Sequence, residues 1–274
     1  MQISVGELSF VVTVDGPQDG RPVLLLHGFP QTGRSWDAVR ESLVRAGNRV
    51  IVPDQRGYSP GARPLGVQAY GMRPIVGDAV GILDALGVST VDVVGHDWGA
   101  NVAWCMATWH PDRVRSLTAV AVPHPRAFGW AFRNDADQQQ RSSYILLFWK
   151  QDKAEEVLLA DDARRLRAML TGLPTESIEH YVSVLTQPGA LTATLNWYRA
   201  MNGDGVAEMP PVTASTTYVW STEDMAVGQA AAQKCGEFVD GSYRFVILDG
   251  VSHWIPEHAP DQLTAAILDQ LAQT

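Results

Sequence analysis

The chain predicts an α/β fold: a mostly parallel sheet flanked by helices, with one helical insertion. Three observations carry the prediction. Short continuous apolar runs such as Val23-Leu24-Leu25-Leu26 and Phe245-Val246-Ile247-Leu248 have the character of strands buried on both faces. Stretches of helical periodicity alternate with these runs, the pattern of a parallel sheet covered on both sides. The alternation stops after Pro123 and resumes only at Thr216-Thr217-Tyr218-Val219-Trp220, an interval too long for a plain loop. The 274 residues suit one large domain carrying an insertion, and a hydrophobic share of 46% supplies its core.

The elements follow in order. Leu8 to Val14 alternates loosely as a strand, and Asp15-Gly16-Pro17 breaks it as a turn. After the Val23–Leu26 strand, Trp36 to Ala46 has helical spacing that Gly47 ends. Val50-Ile51-Val52-Pro53 is the next buried strand, and Ile75 to Leu86 the next helix, with Gly87 at its end. Val91 to Val94 leads as a strand into Gly95-His96-Asp97-Trp98-Gly99. Asn101 to Trp109 is apolar all round, which fits a buried helix. Leu117 to Val122 is a further strand.

Within the interval the segments read as amphipathic helices. Leu158, Leu159, Leu166 and Met169/Leu170 share one helical face. Ile178, Val182 and Leu185 share another, after an expected N-cap at Thr175. Leu191, Leu195 and Tyr198 form a third stripe. Residues 1–123 and 209–274 are therefore expected to form the sheet domain, and residues 124–208 a helical cap. The last strand is Phe245–Leu248 and the last helix Pro260 to Ala272.

Composition narrows the partners. A net charge of −9 argues against nucleic acid or an anionic membrane. Cys105 and Cys235 alone cannot build a disulfide framework. The segment Met1-Gln2-Ile3-Ser4-Val5-Gly6-Glu7 lacks a basic stretch followed by an apolar run, so no signal peptide is expected. No apolar run is long enough to span a bilayer. A cytoplasmic protein acting on a small molecule is the expectation.

The chemistry is concentrated at Asp97. A strand, a G-x-D-x-G turn and a helix make an elbow that lifts one side chain above the sheet, a position that more often holds serine. A serine must lose a proton and then adds to an acyl carbon. A carboxylate is already ionised at neutral pH and can displace a leaving group at a saturated carbon. Taken alone, an Asp in such a loop is usually just an N-cap; the flanking glycines and the strand before it raise its weight. His253 follows the last strand in Asp249-Gly250-Val251-Ser252-His253-Trp254, and Asp224 follows the preceding strand in Ser221-Thr222-Glu223-Asp224. Ligands meet the carboxyl ends of strands in open α/β sheets, so an Asp-His-Asp triad of Asp97, His253 and Asp224 can converge there. Glu223 is an alternative to Asp224 as the acid. A lone loop histidine is usually a solvated surface group. His27 reads as a backbone anchor, His96 directly precedes the elbow residue, and His110, His124, His180 and His258 lack matching partners. Backbone N–H groups of Phe29, in His27-Gly28-Phe29-Pro30, and of Trp98 are placed to form an oxyanion hole. The positive end of the helix beginning near Gly99 favours a carboxylate at Asp97.

These motifs, with Asp54-Gln55-Arg56-Gly57-Tyr58-Ser59, Pro123-His124-Pro125, Asn196-Trp197-Tyr198-Arg199 and Ser252-His253-Trp254, resemble those of the epoxide hydrolases of the α/β-hydrolase fold, with haloalkane dehalogenases close by. The resemblance runs over nearly the whole chain. It implies two cap tyrosines that bind the epoxide oxygen, which fall on Tyr198 and on Tyr144 in Ser143-Tyr144-Ile145-Leu146-Leu147-Phe148. Family members often carry glutamine where this chain has Trp149. Without the family pattern each tyrosine is as readily a core aromatic.

The implied reaction converts an apolar epoxide and water to a vicinal diol through a covalent ester on Asp97, which His253 helps water to hydrolyse. It calls for no metal or cofactor. A haloalkane dehalogenase would use the same carboxylate, and Trp98 could donate its indole N–H to halide. However, Phe29 stands where those enzymes usually carry Asn or another donor, and a departing halide needs no tyrosine proton. A non-catalytic receptor on the same fold is a third reading, against which the complete triad speaks.

Overall fold

The computed structural model describes every residue except Asn202 and Asp204, which fall inside the 124–208 segment. In chain order the elements are β1 (Gln2–Val5), β2 (Leu8–Asp15), β3 (Arg21–Leu26), α1 (Asp37–Arg45), β4 (Asn48–Pro53), α2 (Met72–Ala85), β5 (Val91–His96), α3 (Trp98–Trp109) and β6 (Val114–Val120). There follow α4 (Pro125–Asn134), α5 (Ala136–Arg141), α6 (Ile145–Phe148), α7 (Lys153–Met169), α8 (Thr175–Leu185) and α9 (Ala190–Ala200). The chain closes with β7 (Ser215–Glu223), α10 (Gln229–Lys234), β8 (Tyr243–Ser252), α11 (Ile255–His258) and α12 (Pro260–Leu271). Among the described residues the strands form one sheet in the order β1-β2-β4-β3-β5-β6-β7-β8. The β1–β2 and β2–β4 pairs are antiparallel and the rest parallel.

Strand periodicity builds the two layers. In β3, Val23 and Leu25 face α1 and α12, packing with Val39, Leu43, Leu263 and Ile267. Leu24 and Leu26 face the other way, toward α2 and α3, with Ile75, Ile82 and Val102. Both faces are covered, so the strand can be apolar throughout, and each such side chain contributes about 2 kcal/mol by leaving water. Parallel pairing also aligns strand ends: Leu26 of β3 lies opposite Gly95 of β5, and His96 opposite Val120 of β6. The turns after these strands therefore open on one edge of the sheet. Helices α4–α9 lie in the chain between β6 and β7, and their apolar faces join the α2–α3 side of the core through Phe148, Leu166, Leu195 and Trp197.

Several local expectations shift. The helix after the elbow begins at Trp98, ahead of both Gly99 and Asn101. Thr175 is not the N-cap of α8; that position belongs to Pro174, which makes no side-chain cap, and Thr175 is the first helical residue. Helix α7 is broken by non-helical backbone at Ala160–Ala163, so its stripe belongs to two shorter helices. The β1 strand, too short for a periodic signal, was not anticipated.

Candidate active site

Asp97 is the single residue between β5 and α3, at φ 53° and ψ −119°. That positive φ favours glycine, and strain of this kind persists only where the surroundings enforce it. Two glycines permit the enforcement. A Cβ on Gly95 would lie 2.1 Å from the Gly99 carbonyl oxygen, and one on Gly99 would lie 2.0 Å from the Leu26 oxygen. Strand, turn and helix thus close to a distance that only hydrogen tolerates. The Asp97 carboxylate stands above the sheet at the start of α3, and its Oδ1 accepts the Phe29 backbone N–H at 2.8 Å. The N–H of Trp98, in the first helical turn, has no carbonyl within its own helix to serve.

The second and third groups come from the ends of β8 and β7. His253 Nδ1–H donates to both oxygens of Asp224, each at 2.9 Å, and His253 Nε2 lies 3.6 Å from Asp97 Oδ2. Asp224 is fully buried and also accepts the N–H groups of Ala226 and Val227 at 2.7 and 2.9 Å. Glu223 is exposed at the end of β7, so Asp224, not its neighbour, faces the imidazole.

Burial alone would push the Asp97 carboxyl up, but the hydrogen bond and charge of His253 outweigh it and hold the group below its ordinary value. His253 moves the opposite way. Burial would strip its proton, yet Asp224 and then Asp97 push it up to about 10. The pair therefore rests as carboxylate and imidazolium.

Tyr144 and Tyr198 come from the segments flanking this edge and, with Asp97, Trp98, Phe128 and Trp149, line a cavity of about 290 Å³. The two tyrosine side chains hydrogen-bond each other, and the Trp98 side chain hydrogen-bonds Tyr198. Burial raises both phenols, with the Asp97 charge adding to the effect, so both remain protonated donors. Tyr144 caps the four-residue α6 and packs edge-on against Phe148, with ring centroids 5.2 Å apart. Trp149 donates its indole N–H to the Tyr198 carbonyl at 2.9 Å.

Residues 21–260 match the family model of the alpha/beta hydrolase fold. The chain is 33% identical to Epoxide hydrolase A of Mycobacterium tuberculosis, over 94% of this chain and 92% of that one. The chain belongs to the epoxide hydrolases of the α/β-hydrolase fold. It is also 33% identical to AB hydrolase superfamily protein YfhM of Bacillus subtilis, over 98% and 96% of the two chains. The crystal structure of Epoxide Hydrolase A from Mycobacterium thermoresistibile superposes with a TM-score of 0.87 at 28% identity, over 99% of this chain and 97% of that one.

One residue of this epoxide hydrolase site escaped the sequence reading. His96 is fully buried, and its Nε2–H donates to the His253 carbonyl at 2.8 Å. Burial, and then the neighbouring His253, lower it to about 4, so it stays neutral. Its position next to the elbow was the available signal, but no local pattern pairs it with a residue so far along the chain. His27 does anchor backbone: its Nδ1–H donates to the Gly28 carbonyl at 3.0 Å and its Nε2 accepts the Gln55 N–H at 3.1 Å. Among the described residues, no cluster of three or more His, Cys, Asp or Glu could hold a metal ion, and no helix is long and apolar enough to cross a membrane.

Proposed function

We propose that this protein adds water to an apolar epoxide and releases a vicinal diol, through a covalent ester on Asp97. The observation that carries this reading is the division of labour at the Asp97 carboxylate. Oδ1 is held by the Phe29 amide, while Oδ2 faces the imidazole and is the nucleophile. Oδ2 attacks one epoxide carbon and the ring C–O bond breaks. Tyr198 or Tyr144 gives its hydroxyl proton to the departing oxygen, which leaves as a hydroxyl rather than as an alkoxide. The Asp97 charge is now gone, and with it one of the two carboxylates that held the His253 proton. His253 gives up that proton, which returns to the tyrosinate left by ring opening, and the neutral imidazole then removes a proton from water, whose hydroxide adds to the Asp97 carbonyl carbon. Oδ1 takes the negative charge, stabilised by the Phe29 and Trp98 amides and by the start of α3. The carbonyl re-forms, the ester bond breaks, and the second hydroxyl takes its proton from the imidazolium.

Residues 124–208 act in this scheme as the cap that brings the tyrosines over the nucleophile, and the small-molecule substrate is apolar because aromatic side chains enclose it. The work is assigned to the cytoplasm. Dehalogenation is a weaker reading, since the Trp98 side chain is engaged with Tyr198 and Phe29 offers only its amide to a halide.

The scheme predicts that His253→Ala accumulates the ester. Incubation with styrene oxide should raise the intact mass of that variant by one substrate, and Asp97→Ala should show no adduct. Steady diol production by Asp97→Ala would overturn the assignment.

A further inference from the structure

We infer that Glu257 is a positioning residue for the second half-reaction, clamping the Phe29 turn and the His253 turn to each other and to α8. The inference rests on the epoxide reading above. Glu257 lies in α11, the single turn directly after His253. Its Oε1 accepts the Tyr181 hydroxyl of α8 at 3.1 Å. Its Oε2 accepts the side-chain amide of Gln31, two residues beyond Phe29, and Ser177 of α8 hydrogen-bonds the same carboxylate. Gln31 and Tyr181 are fully buried. One side chain therefore joins the turn after β3, the turn after β8 and a helix of the 124–208 segment. A second tie lies beside it. His258 Nε2–H donates to the Gly172 carbonyl at 3.0 Å, and its Nδ1 accepts the Ser252 hydroxyl at 2.6 Å.

A carboxylate held largely by neutral donors is costly to bury, and burial raises the Glu257 carboxyl. Such networks are worth their cost where a single arrangement must be fixed. Here that arrangement is specific to one step. The His253 carbonyl is pinned on the sheet side by His96 at 2.8 Å and from α11 by the Ile255 N–H at 2.8 Å. Glu257 anchors the free side of the same turn. Ester hydrolysis needs the imidazole and the Phe29 amide, the two groups Glu257 aligns. Ester formation shares the Phe29 amide, which only orients a carboxylate already ionised there, but it needs no base, and its proton comes from the tyrosines, which hang on α6 and α9.

The test is single-turnover kinetics with styrene oxide, following the ester by quenched intact mass. Glu257→Ala is expected to slow ester breakdown about tenfold, because small misplacements of reacting groups are costly, while ester formation changes less than about threefold. Glu257→Gln should restore most of the breakdown rate. Its carbonyl can accept from Tyr181, and its amide can donate to the Gln31 oxygen, which has no partner. Tyr181→Phe, a mild change that keeps the ring packed, should show a smaller loss with the same bias. Equal slowing of both steps, or a lower Tm with both rates unchanged, would overturn the proposal. Should Glu257→Ala fail to fold, the Tyr181→Phe ratio decides. An ester trapped in His253→Ala tests the underlying reaction separately; its absence would sink that reading and this proposal with it.

Discussion

At the residue scale, the proposed reaction turns on one proton held between two acids until one of them is consumed. His253 faces Asp224 at 2.9 Å and Asp97 at 3.6 Å, and the pair of charges keeps it protonated up to about pH 10. In the proposed reaction, esterification of Asp97 removes one charge. Asp97→Asn imitates that state, so the imidazole in this variant should titrate below the wild type's value of about 10. An NMR pH titration of the His253 ring nitrogens checks this; an unmoved midpoint would mean that Asp224 alone holds the proton. The raised value also fixes the sign of a stability effect. The imidazolium pairing contributes fully below about pH 6.5 and is lost as pH rises through about 10, so the wild type should lose stability across that window and Asp97→Asn should lose less.

At the element scale, the two tyrosines depend on how α6 and α9 are tied. Arg199 of α9 makes a bidentate pair with Glu155 of α7, both contacts at 2.9 Å, and donates to the Phe148 carbonyl of α6 at 3.0 Å. Trp149 returns the connection through the Tyr198 carbonyl. Glu155→Gln leaves a largely buried guanidinium short of its partner and should cost about 3 kcal/mol in urea unfolding. It should also slow ester formation more than ester breakdown, the reverse of the bias expected at Glu257; equal effects on both steps would disconnect this tie from the tyrosines. The elements differ in how visible they are in the sequence. Strands such as Val23–Leu26 declare themselves because burial on two faces leaves no room for polar residues. The short helices α4 and α5 stay hidden because six to ten residues hold too few turns to establish a period. Thr175 misleads because any Thr before an apolar stripe resembles a cap, while the preceding Pro174 already fixes the extended entry into α8. Asp97, Asp224, His253 and the Phe29 amide were legible because each follows a strand end. The contacts of His96, Gln31 and Glu257 were not, since they join turns distant in sequence and carry no local motif.

At the scale of the whole molecule, the sheet and the inserted helices share one core, and this decides how the protein unfolds. Phe29, after β3, packs edge-on against Phe148 and Tyr198, each with centroids 5.5 Å apart. Trp98 of α3 packs against Trp197 and Tyr198 at 5.7 and 5.0 Å. Trp197 also donates its indole N–H to the Arg56 carbonyl at 3.0 Å. The surface that covers Asp97 is thus also the surface that completes the apolar layer over α2 and α3. Detaching the helices would strip Phe29, Trp98 and Tyr58 of their covering, so neither part should persist without the other. Heating or urea should therefore give one cooperative transition, with tryptophan fluorescence and far-ultraviolet circular dichroism changing together. Trp197→Ala should cost about 3–5 kcal/mol by leaving a cavity at this junction, and should shift both signals by the same amount. Two separated transitions in the wild type, or a variant in which fluorescence changes well before helix content, would show that the segment carrying the tyrosines is an independent unit and that the shared core does not bind the halves into one.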